Sequence, residues 1–169
     1  CVEAAGAIPA VMDIGILGTP SFEPDYSKHD VAAAANTTNE AIIALGNENL
    51  AMTRQAEGAA LLAQSLQQSG KIDGVLAIGG TMATDLALDV VAVLPLGFPK
   101  LIASTVAYSP LLSPDRISAD VMMILWSGGL YGLNPICQSI LRQAASAIVG
   151  ACQFSTPFVA ERPIVAISS

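Results

Sequence analysis

The sequence predicts an α/β fold built on an open, doubly wound parallel sheet of the Rossmann or flavodoxin-like type. Three observations predict it. The apolar runs VLAI at 75–78 and VMMIL at 121–125 are continuous rather than alternating, as in strands covered on both faces. Such runs alternate along the chain with longer segments of helical periodicity. The 28 alanines and 14 glycines among 169 residues supply the small side chains that let helices lie close against a sheet.

The elements follow in order. CVEAAG at 1–6 reads as the last turn of a helix closed by Gly6 in a left-handed cap. The chain is therefore expected to begin inside an element, as a fragment of a larger two-domain protein. AIPAVMDIGI at 7–16 reads as a strand. Ser27 and Asp30 mark a helix start that Val31 to Ala35 continue, and NTTNE at 36–40 reads as a polar break. A long helix is expected from about 48 to 69, ended by Gly70, with Met52, Ala56, Ala59, Ala63 and Leu66 on one face. GVLAIGG is a strand that runs directly into the helix TMATDLALDVVAVL, which Pro95 ends. FPKLIAST and ADVMMILW are two further buried strands. Asn134 and Pro135 open a last helix to about Cys152, with Ile136, Ile140, Ala144, Ile148 and Ala151 on one face and Gln138, Arg142, Gln143 and Ser146 on the other. ERPIVAISS reads as a strand. Residues 1–162 are thus expected to form one domain lacking its first strand and part of its first helix. Residues 163–169 are its last strand or the start of a second domain.

Charge and composition exclude several partners. Fourteen acidic residues against seven basic ones give a net charge of -7. A nucleic-acid binder gains its affinity by neutralising phosphates with Lys and Arg, so neither nucleic acid nor an anionic membrane surface is expected. The uncharged stretch 121–141 is long enough to span a bilayer, but its glycines, Asn134 and Pro135 would leave backbone groups unsatisfied in lipid. Cys1, Cys137 and Cys152 are odd in number and lack C-x-x-C spacing. They predict neither a disulfide framework nor a metal site, and they suit a reducing, cytoplasmic setting.

In an open parallel sheet ligands bind at the carboxyl ends of the strands. The sharpest such end is Gly79-Gly80-Thr81, where a strand meets a helix with nothing between. Glycines let backbone approach a ligand, and the exposed N–H groups of a helix start attract phosphate or carboxylate. The hydroxyls of Thr81 and Thr84 lie in the first turn. The alternative is a tight turn with no ligand; the segment is neither G-x-G-x-x-G nor a P-loop, which needs a Lys. Asp85 either partners the helix dipole or holds Mg²⁺ against a phosphate. Ser104 and Thr105, followed by Val106, end the next strand as ligand contacts or as a Ser/Thr turn. Gly128, Gly129, Gly132 and Asn134 form a third strand-end group, with Asn134 also a plain N-cap. Asp13 is the best single acid at this edge, with Asp85 and Asp115 behind it. Lys28, Arg54 and Arg116 lie toward the same edge, whereas Lys100 precedes its strand and lies at the opposite one. His29 stands alone beside Lys28 and Asp30, which leaves no basis for a nucleophilic triad.

The blocks DGVLAIGGTMAT, FPKLIASTVA, DVMMI and YGLN, in that order and spacing, resemble the N-terminal domain of the tomato mosaic virus resistance protein-like family. The resemblance implies a Rossmann-like domain that binds ATP, with or without Mg²⁺, followed by a second domain, and a homodimer. Matched by motif, it implies a phosphate loop of Gly79, Gly80, Thr81 and Thr84 and a Ser-Thr-Val block of Ser104, Thr105 and Val106, with Asn134 in the Gly-Leu-Asn block. In place of that family's second glycine pair stand Met82 and Ala83, which predicts weaker ATP affinity or a different ligand. The leading expectation is ATP binding in a cytoplasmic two-domain protein. The alternatives are a domain of an enzyme acting on a small phosphorylated or carboxylated metabolite, and a dimerising module without ligand. The residues display no catalytic constellation.

Overall fold

The computed structural model describes residues 1–126 and 132–156. Three strands, β1 (Val75–Gly79), β2 (Lys100–Ser104) and β3 (Val121–Leu125), form a parallel sheet in the order β1-β2-β3. The pairing is in step along the whole ladder, from Val75 with Lys100 and Lys100 with Val121 to Gly79 with Ser104 and Ser104 with Leu125. All the strands therefore end together, and their carboxyl ends form one edge.

Helices cover both faces. On one lie α3 (Glu48–Gln68) and α4 (Thr81–Ala92), with Leu86, Val90, Ala87, Leu88 and Val91 of α4 buried against α3 and the sheet. On the other lies α5 (Pro135–Phe154), whose Ala144, Ile148 and Val149 pack on Leu101 and Ala103 of β2. The central strand β2 is buried at every position, as a strand clad on both faces must be. The α/β, open and doubly wound class read from the sequence is thus the observed one.

Small residues set the helix spacing. Along α3 the buried positions are Ala51, Gln55, Ala56, Gly58, Ala59, Ala60, Ala63 and Leu66. The short helix α1 (Lys28–Ala34) crosses α3 at Gly58, where a Cβ would lie 2.1 Å from the carbonyl oxygen of Val31. Helix α1 starts as expected: Ser27 and Asp30 form a reciprocal capping box.

Three expectations need correction. Residues 7–16 do not form a strand: only Met12 pairs, in an isolated parallel bridge to Tyr26. Their apolar character reflects burial of Met12 and Ile14 against α3 and α4, and Pro9 has no N–H to give a ladder. NTTNE is a break only at 36–38, between the end of α1 at Ala34 and the start of the next helix at Asn39. Thr38 caps α2 (Asn39–Ala44) by accepting the Ala41 N–H, because the polar residues that interrupt an apolar pattern are also the best N-caps. On α5 the buried stripe contains Cys137, Ala144, Ala145, Ile148 and Val149, while Ile136 is 65% exposed. Ala144 and Ile148 of the expected stripe are buried, and the face is rotated so that Cys137, Ala145 and Val149 join them in place of Ile136. The strand expected at 163–169 lies outside the described residues, as do Gly128 and Gly129.

Candidate functional site

The two strand-end turns read from the sequence come together. Gly80 is the N-cap of α4, with extended backbone and no side chain to cap the helix. The Thr84 N–H closes the first helical bond on the Gly80 carbonyl, so the N–H groups of Thr81, Met82 and Ala83 have no intrahelical partner. Gly79 is obligatory on packing grounds: a Cβ there would lie 2.3 Å from the Cβ of Ala83. A Cβ on Gly80 would lie 3.6 Å from Oγ1 of Thr105, which places the exposed Thr105 hydroxyl beside the helix entrance. Thr81 is also exposed, and Met82 is 48% exposed.

Beneath this surface runs a chain of hydrogen bonds. Thr84 Oγ1 lies 2.7 Å from the Gly80 carbonyl oxygen and 2.6 Å from Ser104 Oγ. Ser104 Oγ accepts the Val106 N–H at 3.0 Å. A carbonyl only accepts, so Thr84 donates to Gly80 and Ser104 donates to Thr84. Each hydroxyl gives its one proton, and both side chains are buried. Of the residues expected to contact a ligand, Thr81 and Thr105 are exposed on either side of Gly80 at the helix entrance, whereas the Gly79 carbonyl is bonded to the Thr105 N–H. Thr84, Ser104 and Val106 hold the two turns together from below. The Thr105 N–H to Gly79 carbonyl bond, 3.1 Å, adds a second tie.

These bonds do not extend to Asp13 or Asn134. Asp13 Oδ1 accepts the Gly15 N–H at 2.9 Å, which makes it a local turn carboxylate. Asn134 Oδ1 accepts the Cys137 N–H at 2.9 Å as the N-cap of α5. Gly132, with φ of 73°, needs its glycine for the approach to that cap.

The cations expected at this edge are engaged. Arg116, in a short 3-10 turn (Pro114–Arg116) between β2 and β3, pairs with Asp85 and, at 2.6 Å, with Asp89, one helical turn apart on α4. Partial burial disfavours its charge, but the two carboxylates outweigh this and hold the guanidinium above its ordinary pKa. Asp85 thus faces a partner on the sheet-edge loop. Lys28 donates to the Gly18 carbonyl, and Arg54 pairs with Glu57. Asp115 is exposed, and the Ser113 hydroxyl keeps its carboxyl below the usual value.

Lys100 lies where its position before a strand predicted, at the opposite edge. There it is buried and bonded at 2.7 Å to Asp120, a pair the sequence reading missed. The signal for it was two charges, each at the start of an adjacent apolar run. Two open grooves, of about 410 Å³ along α5 and about 520 Å³ beside β3, are lined by no residue of 79–84 or 104–106. Among the described residues no helix is long and apolar enough to cross a membrane, and no three acidic, Cys or His side chains are grouped to hold a metal.

The geometry defines an open parallel α/β protein with a glycine turn and an uncapped helix at its strand ends. The chain belongs to the family described as "Uncharacterised protein family (UPF0261) N-terminal domain", whose model matches residues 1–157. It is 56% identical over 168 residues to a UPF0261 protein of Brucella suis, covering 99% of this chain and 40% of the relative. UPF0261 proteins of Clostridium tetani and Rhizobium meliloti are 28% and 29% identical over 97% and 99% of the chain, which covers 41% of each. The chain thus spans about two fifths of the length of these relatives. This assignment corrects the resemblance to the tomato mosaic virus resistance protein-like family: what matches along the blocks that carried it is UPF0261. Short Gly-, Ser- and Thr-rich blocks at strand ends meet a need common to parallel α/β sheets, so their order did not discriminate between families.

Proposed function

We propose that this protein binds the phosphate of a nucleotide, ATP being the first to test, on the turn formed by Gly79, Gly80, Thr81 and Thr105. The observation that supports it is the α4 entrance: consecutive N–H groups without an intrahelical partner, no capping side chain, and a neighbouring free-standing hydroxyl. Such an end attracts an anion through its donors and, by about 0.3–1 kcal/mol, through the helix dipole. Thr81 and Thr105 add hydroxyl donors. Any Mg²⁺ would arrive with the nucleotide, since among the described residues no three acidic, Cys or His side chains are grouped to hold it.

A second reading has its own support. With Arg116, Lys28 and Arg54 all engaged, the edge neutralises less charge than a triphosphate carries. A small phosphorylated or carboxylated metabolite suits that balance better. In either case the protein is cytoplasmic and acts as a homodimer, with the exposed Ile43, Leu45 and Leu50 available to an interface.

Calorimetric titration of the full-length protein decides among them. ATP with Mg²⁺ binding more tightly than inorganic phosphate, and weakened by Thr105→Ala, is the expected result. Binding of a phosphorylated or carboxylated acid but not of ATP favours the second reading. No heat and no thermal shift with any of them at millimolar concentration discards both.

A further inference from the structure

The two outer edges of the sheet are finished differently. Residues of a parallel strand direct their backbone groups alternately to one neighbour and then the other. The Trp126 N–H to Ser104 carbonyl bond turns Met122 and Ile124 toward β2, so Val121, Met123 and Leu125 face outward from β3. Two main-chain groups of that edge are already engaged. The Tyr108 hydroxyl donates to the Met123 carbonyl at 2.7 Å, and the Val121 N–H bonds to Ser118. Tyr108 holds this position with a φ of 63°, which a tyrosine rarely adopts.

On the other side, the Val75 N–H to Pro99 and Thr105 N–H to Gly79 bonds turn Val75, Ala77 and Gly79 toward β2. Leu76 and Ile78 therefore face outward from β1, and among the described residues neither makes a hydrogen bond there. Ile78 is 46% exposed, although it sits in a strand of a sheet clad on both faces.

The amino-terminal segment borders this edge. Val2, Ala5 and Ala7 pack on the α5 face with Leu76, and Met12 and Ile14 pack on the opposite face in a cluster that contains Val75 but no residue of β2 or β3. The segment thus passes from face to face on the β1 side. Its middle, Ile8 to Val11, is held in solvent, with Ile8 97% exposed and Val11 39% exposed. Main chain with no partner among the described residues, flanked by apolar side chains on both faces, is a seat for a strand, not for a helix or a small molecule.

We propose that the outer edge of β1 seats a further parallel strand, apolar on both faces, from the protein's own polypeptide outside the described residues. The relatives are long enough to supply it, since the chain covers about 40% of their length. The walls of the seat are this chain's own residues on both faces of the sheet, which favours an intramolecular strand over a second copy. The proposal is independent of the ligand reading.

Amide exchange, read residue by residue in the full-length protein, tests it without any substitution. The expected result is that the outward amides of Leu76 and Ile78 are protected to within about tenfold of the inward amides of Ala77 and Gly79, at every protein concentration. Exchange at Leu76 and Ile78 about a hundredfold faster than at their neighbours overturns it. Protection that grows with protein concentration also overturns it, because it assigns the edge to a second copy.

Discussion

Thr84 Oγ1 and Ser104 Oγ lie 2.6 Å apart in the buried floor beneath the two strand-end turns. Through them the Val106 N–H, on the turn after β2, is linked to the Gly80 carbonyl at the start of α4. The spacing of the two turns is therefore set by buried hydroxyls beneath the exposed Thr81 and Thr105.

Ser104→Ala leaves the Val106 N–H without its partner in a partly buried setting, and a loss of about 1–2 kcal/mol in urea unfolding is expected. Thr84→Val removes the acceptor of the Ser104 proton at nearly constant shape and costs a similar amount. The two changes made together cost less than their sum, because both break the same chain. Thr84→Ser keeps the hydroxyl and restores most of the stability.

The Lys100–Asp120 pair predicts an acid limb. Burial raises the Asp120 pKa, but the Lys100 ammonium and the Gly97 N–H outweigh it and hold the carboxyl below its ordinary value of 3.8. A folded-state pKa below the unfolded one gives stability that is complete above the unfolded value and is lost as pH falls through the folded value. Asp120→Asn leaves a buried ammonium without its counter-charge. It is expected to cost about 3–5 kcal/mol at neutral pH, with the gap from the parent protein narrowing below about pH 4. Urea midpoints measured across pH check both parts.

Gly58→Ala raises helix propensity by about 1 kcal/mol, yet it is expected to destabilise. The new Cβ would stand 2.1 Å from the Val31 carbonyl oxygen, and backbone on both helices must move. A net loss of about 1–3 kcal/mol is expected in chemical denaturation, the cost typical of an overfilled core.

Arg116→Ala separates stability from binding. Its partners Asp85 and Asp89 are about half exposed, so the stability change is expected to stay under about 1 kcal/mol. The two carboxylates then stand uncompensated on the first turns of α4. Weaker phosphate or ATP binding is expected in calorimetry at low salt, and the difference shrinks as salt screens it.

Much of the fold was legible because its signals are local. Ser27 with Asp30, and Asn134 before Pro135, announce helix starts by capping chemistry alone. The apolar runs of β1, β2 and β3 announce strands clad on both faces. What was not legible depended on partners distant in sequence. Residues 7–16 carry a strand's composition, but whether such a run pairs is decided by its neighbour, and only Met12 finds one. The glycine turn of 79–80 could be read from a strand running straight into a helix. The inward turn of Thr84 and Ser104 could not, because a hydroxyl near a strand end looks the same whether it faces a ligand or another hydroxyl. Nor did the sequence mark Tyr108, whose role is a bond to a main-chain carbonyl fifteen residues on.

That tyrosine has a consequence for how copies of the protein meet. Endless stacking of sheets, the route to fibres, requires every molecule to accept a neighbour at both rims. With the Met123 oxygen already taken by Tyr108, a strand arriving at the far rim must first displace that hydroxyl, which adds a cost to every further step of growth by strand exchange.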